Sequence, residues 1–307
     1  MEIAACVIDC IYSDGRLMEV RRSSGEIREG FVLVDGARLH FQEAGAGHPL
    51  MLVHGLVGSS RNWQRNIRFL SEHAHVYALD LCNMGESERV PGLDASLEAQ
   101  ADRVVACMDA LGIAQADIAG HSHGGAIAMM LAARHPKRVR KMVLFAPANP
   151  FCDLGRHLIA FYQTRFGMWL ARQIPSLPRM LKGVALSRMY GDPKKVTDSA
   201  LDGYISGLRV PGTVDHVLGI VQGWKTDMRR LQSALVELAE KPVLLIWGDR
   251  DRAVGLPSAQ QLQSTLHRSR LIVLPGVGHI AFEEMPEPCN QAMREWLAGP
   301  PENRTAA

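Results

Sequence analysis

Three short stretches of this chain carry side chains that together could do nucleophilic chemistry: Gly120-His121-Ser122-His123-Gly124, Gly248-Asp249-Arg250-Asp251 and Gly278-His279. A serine hydroxyl is a poor nucleophile until a base takes its proton and a third group orients that base. The chain supplies the three groups in the order Ser, Asp, His. The first stretch has the G-x-S-x-G pattern of a nucleophile elbow, a strand-to-helix turn that strains the central residue's backbone and lifts its Oγ clear of the sheet. Flanking glycines relieve the crowding such a turn creates. Ser122 is the expected nucleophile. His279, on a glycine-lined loop after an apolar run, is the expected base, and Asp249 and Asp251 compete for the acid position.

Attack on a carbonyl builds negative charge on its oxygen, and backbone N–H groups aimed at that oxygen stabilise it. His123, directly after the serine, offers one such amide. Leu56 offers the second from the turn His54-Gly55-Leu56-Val57-Gly58, which follows the apolar run Leu50 to Val53. His54 itself is expected to fix that turn rather than move protons. His121 and His123 bracket the serine, yet no carboxylate stands at metal-ligand spacing from them, so no metal and no other cofactor is expected.

These residues need a scaffold that brings distant loops to one edge. Phe31 to Val34 and Arg38 to Phe41 flank Asp35-Gly36, a two-residue hairpin signal. Short apolar runs then alternate with helical patterns: Leu50 to Val53 before a helix near Arg61 to Glu72, and Val76 to Leu81 before one near Leu97 to Leu111. Ala116 to Ala119 leads into the elbow, and Gly125 to Ala133 has the small, apolar residues of a tightly packed helix. Lys141 to Phe145, Pro242 to Trp247 and Leu271 to Leu274 are further strands, with a last helix near Pro288 to Leu297. This alternation predicts an α/β fold with a mainly parallel sheet covered by helices on both faces. Both the Asp249/Asp251 loop and the His279 loop leave the C-terminal ends of strands, where ligands gather in open sheets.

Between Pro147 and about Val236 the rhythm changes to helical patterns, such as Leu158 to Gln173, interrupted by prolines and glycines. An inserted helical cap over residues 151–236 is the expectation. Residues 31–150 and 237–299 then form the core, with 1–30 an N-terminal extension and 300–307 a C-terminal tail. The cap is the basic part, with 12 Lys or Arg against 6 Asp or Glu, in a chain of net charge +2. Its aromatic residues mostly pack, but some, Phe166 and Trp169 foremost, are expected to line the site that the cap roofs.

The 307 residues, 47% hydrophobic and 21% charged, suit one globular domain with an insertion and give no reason to expect nucleic acid as a partner. Contact of the basic cap with a membrane surface stays open. The six cysteines are scattered with no C-x-x-C pair, and the N-terminus lacks the basic start and apolar run of a secretory signal. A cytoplasmic protein acting on a small molecule is the resulting expectation.

Five landmarks occur in order: the His54-Gly55 turn, the Asp80 to Ser87 loop, the Ser122 elbow, the Gly248-x-x-Asp251 loop and Gly278-His279. With them the chain, over about residues 31 to 298, resembles the α/β-hydrolase fold superfamily, in the serine branch that carries a helical cap. The resemblance implies an eight-stranded, mainly parallel sheet. It also implies that the acid is Asp251, at the fourth place of its loop, and that Asp249 is a loop residue. Relatives that form an alkyl-enzyme ester, the haloalkane dehalogenases and epoxide hydrolases, use aspartate at the elbow, so a serine there implies an acyl-enzyme and a carboxylic ester hydrolase. Hydrolases of carbon–carbon bonds, thioesterases, amidases and perhydrolases share the triad, as do slow-turnover ligand receptors. Asn83 departs from the pattern, standing where glycine is common.

Overall fold

A computed structural model describes residues 8–13, 16–21, 27–153 and 155–299. The chain opens with four antiparallel strands, β1 (Ile8–Ser13), β2 (Arg16–Arg21), β3 (Arg28–Val34) and β4 (Ala37–Ala44). Asp35 and Gly36, at φ 52° and 79°, make the β3–β4 turn with the paired positive angles that match strand twist. Strands and helices then alternate: β5 (Pro49–Val53), α1 (Gln64–Ser71), β6 (His75–Leu79), α2 (Leu97–Ala110), β7 (Ala116–His121), α3 (His123–Arg134) and β8 (Val139–Phe145). Five helices follow without a strand: α4 (Arg156–Tyr162), α5 (Arg165–Ala171), α6 (Arg179–Ser187), α7 (Asp198–Leu208) and α8 (Thr213–Ala234). The chain returns to the sheet with β9 (Val243–Gly248), α9 (Leu256–Thr265), β10 (Ser269–Leu274), α10 (Ala281–Glu284) and α11 (Pro286–Ala298).

The strands form one sheet in the order β1-β2-β3-β4-β6-β5-β7-β8-β9-β10, and the six from β6 to β10 run parallel. Strands β3 to β10 are the expected eight. The N-terminal stretch adds two more at the edge, with β2 pairing to β3 through Glu19↔Phe31, Val20↔Gly30 and Arg21↔Glu29. Mixed charge hid these strands from any search for apolar alternation. Residues 300–307 lie outside the described residues.

Central strands buried on both faces need no polar alternation, and all six residues of β7 and of β9 are buried. Side chains of β5 divide between two cores: Met51 and Val53 join Val104 and Ile127 on the α2–α3 side, and Leu50 and Leu52 join Ile67 and Met293 on the α1–α11 side. The pattern from Leu158 to Gln173 is two helices rather than one. Thr164 breaks it, because its Oγ1 accepts from the Gly167 amide at 3.0 Å and starts a new helix. Among the described residues no helix is long and apolar enough to cross a membrane.

One buried cation fastens the last helix to the sheet. Lys141 on β8 is 1% exposed, and its Nζ donates to the carbonyls of Trp296 at 2.8 Å, Leu297 at 3.3 Å and Gly299. Those oxygens belong to the unsatisfied C-terminal end of α11, where the helix dipole also favours positive charge. Lys141→Met fills the same space but takes this donor from the Trp296 and Gly299 carbonyls, while Leu297 keeps Arg140 at 3.2 Å, and is expected to lower stability by about 2 kcal/mol. Urea unfolding measures it; an unchanged midpoint would show that the cap on α11 contributes nothing.

Candidate active site

The elbow is held by backbone contacts that admit no side chains. A Cβ on Gly120 would lie 2.6 Å from the Gly124 carbonyl oxygen, and one on Gly124 would run into the carbonyls of Val53 and His54. Strand β7, helix α3 and the end of β5 therefore meet with no intervening side chains. Between these contacts Ser122 adopts φ 51° and ψ −119°, a strained conformation for a residue with a Cβ. Its amide donates to Phe145 at 3.0 Å, and its carbonyl accepts from Gly125, Ala126 and Ala148.

The structure brings Asp251 and His279 together. Asp251 Oδ2 lies 2.8 Å from His279 Nδ1, while Oδ1 accepts from the amides of Ala253 and Val254 at 2.7 and 2.9 Å. The carboxylate is fully buried. Asp249 is exposed and points elsewhere, accepting from the Gly276 amide at 2.7 Å. That bond, with Arg250 N–H donating to Val277 at 2.9 Å, stitches the acid loop to the histidine loop. Gly248 is required there, because a Cβ would collide with the carbonyls of Val277 and Gly278.

The turn after β5 lies against the serine. A Cβ on Gly55 would fall 3.2 Å from Ser122 Cβ and 2.7 Å from His121 Nδ1, so the backbone carrying Leu56 passes directly beside the hydroxyl-bearing residue. His123 N–H is the first amide of α3 and has no partner within the helix. Both residues expected to offer amides are thus on elements that adjoin Ser122. The His123 side chain turns away, its Nε2 3.3 Å from Gln100 Oε1 and its ring near Trp224, and burial pushes its pKa down to about 3.

His54 ties this turn to the loop after β6. Leu81 N–H donates to its Nε2 at 3.0 Å, so Nε2 is the unprotonated nitrogen and Nδ1–H donates to the Gly55 carbonyl at 2.8 Å. Complete burial lowers its pKa, and the ring stays neutral. Beside it Asp80 is also buried but charged. Burial alone would raise its pKa; the bond to His40 at 2.9 Å, the positive charge of that ring and the amide of Glu86 hold it below the usual carboxylate range. Its other oxygen accepts from the Ser60 amide. Asn83 meets the geometry of this loop as glycine would, at φ 63°, and its side chain exchanges two bonds with the backbone of Val90.

Sequence reasoning missed three residues that brace His279. His121 is buried and neutral, its pKa well below the ordinary value through burial and the neighbouring His279; its Nε2–H donates to the His279 carbonyl at 3.1 Å. Glu284 accepts from the amide of Gly278 at 2.8 Å and from those of Gly191 and Asp192, both at 2.9 Å. Met189, from the inserted helices, accepts from the His279 amide at 2.6 Å. Next to Glu284, Glu283 accepts from Tyr190 at 2.7 Å, Tyr204 at 3.1 Å and Asn62 at 2.9 Å. Two acids just after an apolar stretch, four and five residues past His279, were the available signal. Phe166 and Trp169, expected to line the site, are 63% and 55% exposed and face solvent.

The sheet order, the strained serine and the bonded acid and histidine loops define a hydrolase scaffold, and residues 48–286 match the model of the α/β hydrolase fold. The chain belongs to that family. It is 30% identical to the 2-hydroxymuconate semialdehyde hydrolase of Pseudomonas sp. (strain CF600), over 85% of this chain and 90% of that protein. It is also 30% identical to the dihydrolipoyllysine-residue acetyltransferase component of the acetoin cleaving system of Pseudomonas putida, over 86% of this chain and 68% of that one. Among solved structures, a membrane phospholipase A superposes with a TM-score of 0.73 at 27% identity, over 89% of this chain and 86% of that one.

Burial pushes the Glu283 carboxyl up to about 7, against the opposing pull of its three hydrogen-bond donors and of Arg65. An acid whose pKa is higher folded than unfolded stabilises the fold fully below the unfolded value of 4.5, and that contribution is lost as pH rises through about 7. The full swing corresponds to about 3 kcal/mol. Glu283→Gln keeps the shape and an acceptor oxygen but cannot ionise. Its melting temperature relative to wild type should therefore climb by a few degrees between pH 5 and pH 8.5. A difference that stays flat across that range would mean Glu283 is not a buried, titrating acid.

Proposed function

We propose that the protein is a serine hydrolase that cleaves a carboxylic ester through an acyl-enzyme on Ser122, with Asp251 and His279 completing the triad. The observation that carries this reading is the pairing of a serine at positive φ on the elbow with a histidine whose Nδ1 is engaged by a buried aspartate. That bond leaves Nε2 for proton transfer. In the proposed cycle Ser122 Oγ attacks the ester carbon as His279 Nε2 takes its proton; the imidazolium passes that proton to the departing alcohol. His279 then deprotonates water, which attacks the acyl-enzyme and releases the acid with Ser122 reprotonated. The amides of Leu56 and His123 bind the oxyanion in both halves. No cofactor takes part in this chemistry.

Residues 151–236 act in this reading as a cap over the cleft, supported by the bonds of Met189, Gly191 and Asp192 to the His279 and Glu284 segments. The cytoplasm suits the chain, because Cys82, Cys107 and Cys289 are unbridged. A second reading, hydrolysis of a carbon–carbon bond next to a carbonyl, is favoured by the 30% identity to the semialdehyde hydrolase over 85% of the chain. Parallel assays on p-nitrophenyl esters of increasing length, a thioester, an amide and a vinylogous diketone separate the two. Turnover of the diketone alone would replace the ester assignment.

Ser122→Ala should fold as wild type and lose turnover by several orders of magnitude, since only binding and oxyanion stabilisation remain. A fluorophosphonate probe should label wild type at Ser122 and leave the variant unlabelled. Labelling at another serine, or near-normal hydrolysis by the variant, removes the elbow from the mechanism.

The two aspartates give a sharper contrast. Asp251→Asn misorients the imidazole and leaves its positive charge unsupported, an effect on the order of 10⁴ in turnover where the same substitution is known in a serine protease. Asp249→Asn exchanges one exposed backbone bond and should stay within about tenfold. Matched kcat values with circular dichroism decide between them, and the reverse ranking would move the acid to Asp249.

A further inference from the structure

The described residues expose twelve large apolar side chains by more than about a third, and eight of them fall between Leu158 and Val184. Such crowding in one segment differs from the scattered apolar exposure of ordinary surfaces. Phe166, Trp169 and Leu170 stand at i, i+3 and i+4 on α5, with the two rings stacked 5.8 Å apart. Met180, Leu181 and Val184, at i, i+1 and i+4, form a second exposed triad on α6. Both helices turn their small or hidden residues inward, Gly167 and Ala171 on the first, Lys182 and Leu186 on the second. Each is therefore amphipathic in the inverted sense, with its large apolar face to solvent.

The charge carried by this segment itself has one sign. From residue 154 to residue 191 the chain has no Asp or Glu but six Lys or Arg. Arg156, Arg172 and Arg179 meet aspartates brought from outside that stretch, whereas Arg165 and Arg188 have no ion pair among the described residues. Exposed arginines beside an apolar, Trp-bearing face match the two layers of a membrane surface: anionic headgroups above, acyl chains below.

We propose that the α5–α6 face of the inserted segment docks the protein onto anionic lipid bilayers. Phe166, Trp169, Met180 and Val184 enter the acyl boundary, and Arg165 and Arg188 meet the headgroups. The protein rests on the surface, with no spanning helix. The proposal stands apart from the chemistry assigned to Ser122, so binding is read on both wild type and Ser122→Ala, and failure of either idea leaves the other intact.

The probe is a set of large unilamellar vesicles, of phosphatidylcholine alone or with 30 mol% phosphatidylglycerol. Wild type should co-sediment with the anionic vesicles about tenfold more strongly than with the neutral ones, and added salt should erode that difference. Brominated acyl chains should quench its tryptophan fluorescence. Two double variants, Phe166→Glu with Trp169→Glu and Met180→Glu with Val184→Glu, should each weaken binding at least tenfold while keeping the circular dichroism spectrum and the hydrolysis of a short soluble ester. No sedimentation at millimolar lipid, or equal binding by folded variants, overturns the proposal. So does a wild-type dimer that the variants disperse without any vesicle binding, which would give the face to a second copy of the chain.

Discussion

Everything at the site depends on backbone pressed against backbone around the elbow. Gly120 meets Gly124, and Gly124 meets the end of β5, at distances that leave no room for a Cβ. Packing this close lets β5, β7 and α3 converge on one point and holds Ser122 at an angle that a free chain would abandon. The strain is sustained because the flanking strands, β7 throughout and β5 from Leu50 onward, are buried and cannot relax. The same convergence puts the Leu56 turn beside the serine without any side chain to steer it.

Around that point the protein uses opposite electrostatic solutions for its buried ionisable groups. His54 is kept neutral by burial and spends both ring nitrogens on the backbone, so it serves as a rigid strut between two loops. His40 and Asp80 are buried as a pair: burial lowers the pKa of the histidine, but the bond to Asp80 and its charge outweigh that and raise it. Removing either partner would strand the other in a low-dielectric interior, which is far costlier than losing a surface ion pair. Asp251 follows a third course, with two backbone amides on one oxygen and the imidazole on the other. Three histidines and two aspartates thus do different work for reasons set by what each nitrogen and oxygen touches.

Much of this was legible in the sequence because it rests on local rules. Asp35-Gly36 announces a turn, apolar runs of four to six residues announce buried strands, and G-x-S-x-G announces the elbow. The role of Asp249 was undecided from residue types alone, since two carboxylates two positions apart differ only in where the loop points them. The β1–β2 hairpin was illegible because strands at a sheet edge need no apolar alternation. Nor could the bracing of His279 be read, since Glu284 takes two of its three amide partners from a segment some ninety residues earlier. Phe166 and Trp169 misled for a plain reason: hydrophobicity tells that a residue wants cover, not which side of a helix offers it.

The bracket made by Glu284 has a mechanical consequence. One carboxylate grips the peptide just before His279 and, with its other contacts, the Gly191–Asp192 turn of the inserted segment, while Met189 holds the histidine's own amide. In the proposed reading, the cap and the base are therefore built on a shared hinge pin. On that reading, an excursion of the inserted segment large enough to part these bonds would also let the imidazole drift, and an enzyme built this way is not fully open and fully armed at the same moment. Closure over a bound molecule would then act as a timing device, cocking the histidine only when there is something in place for it to work on.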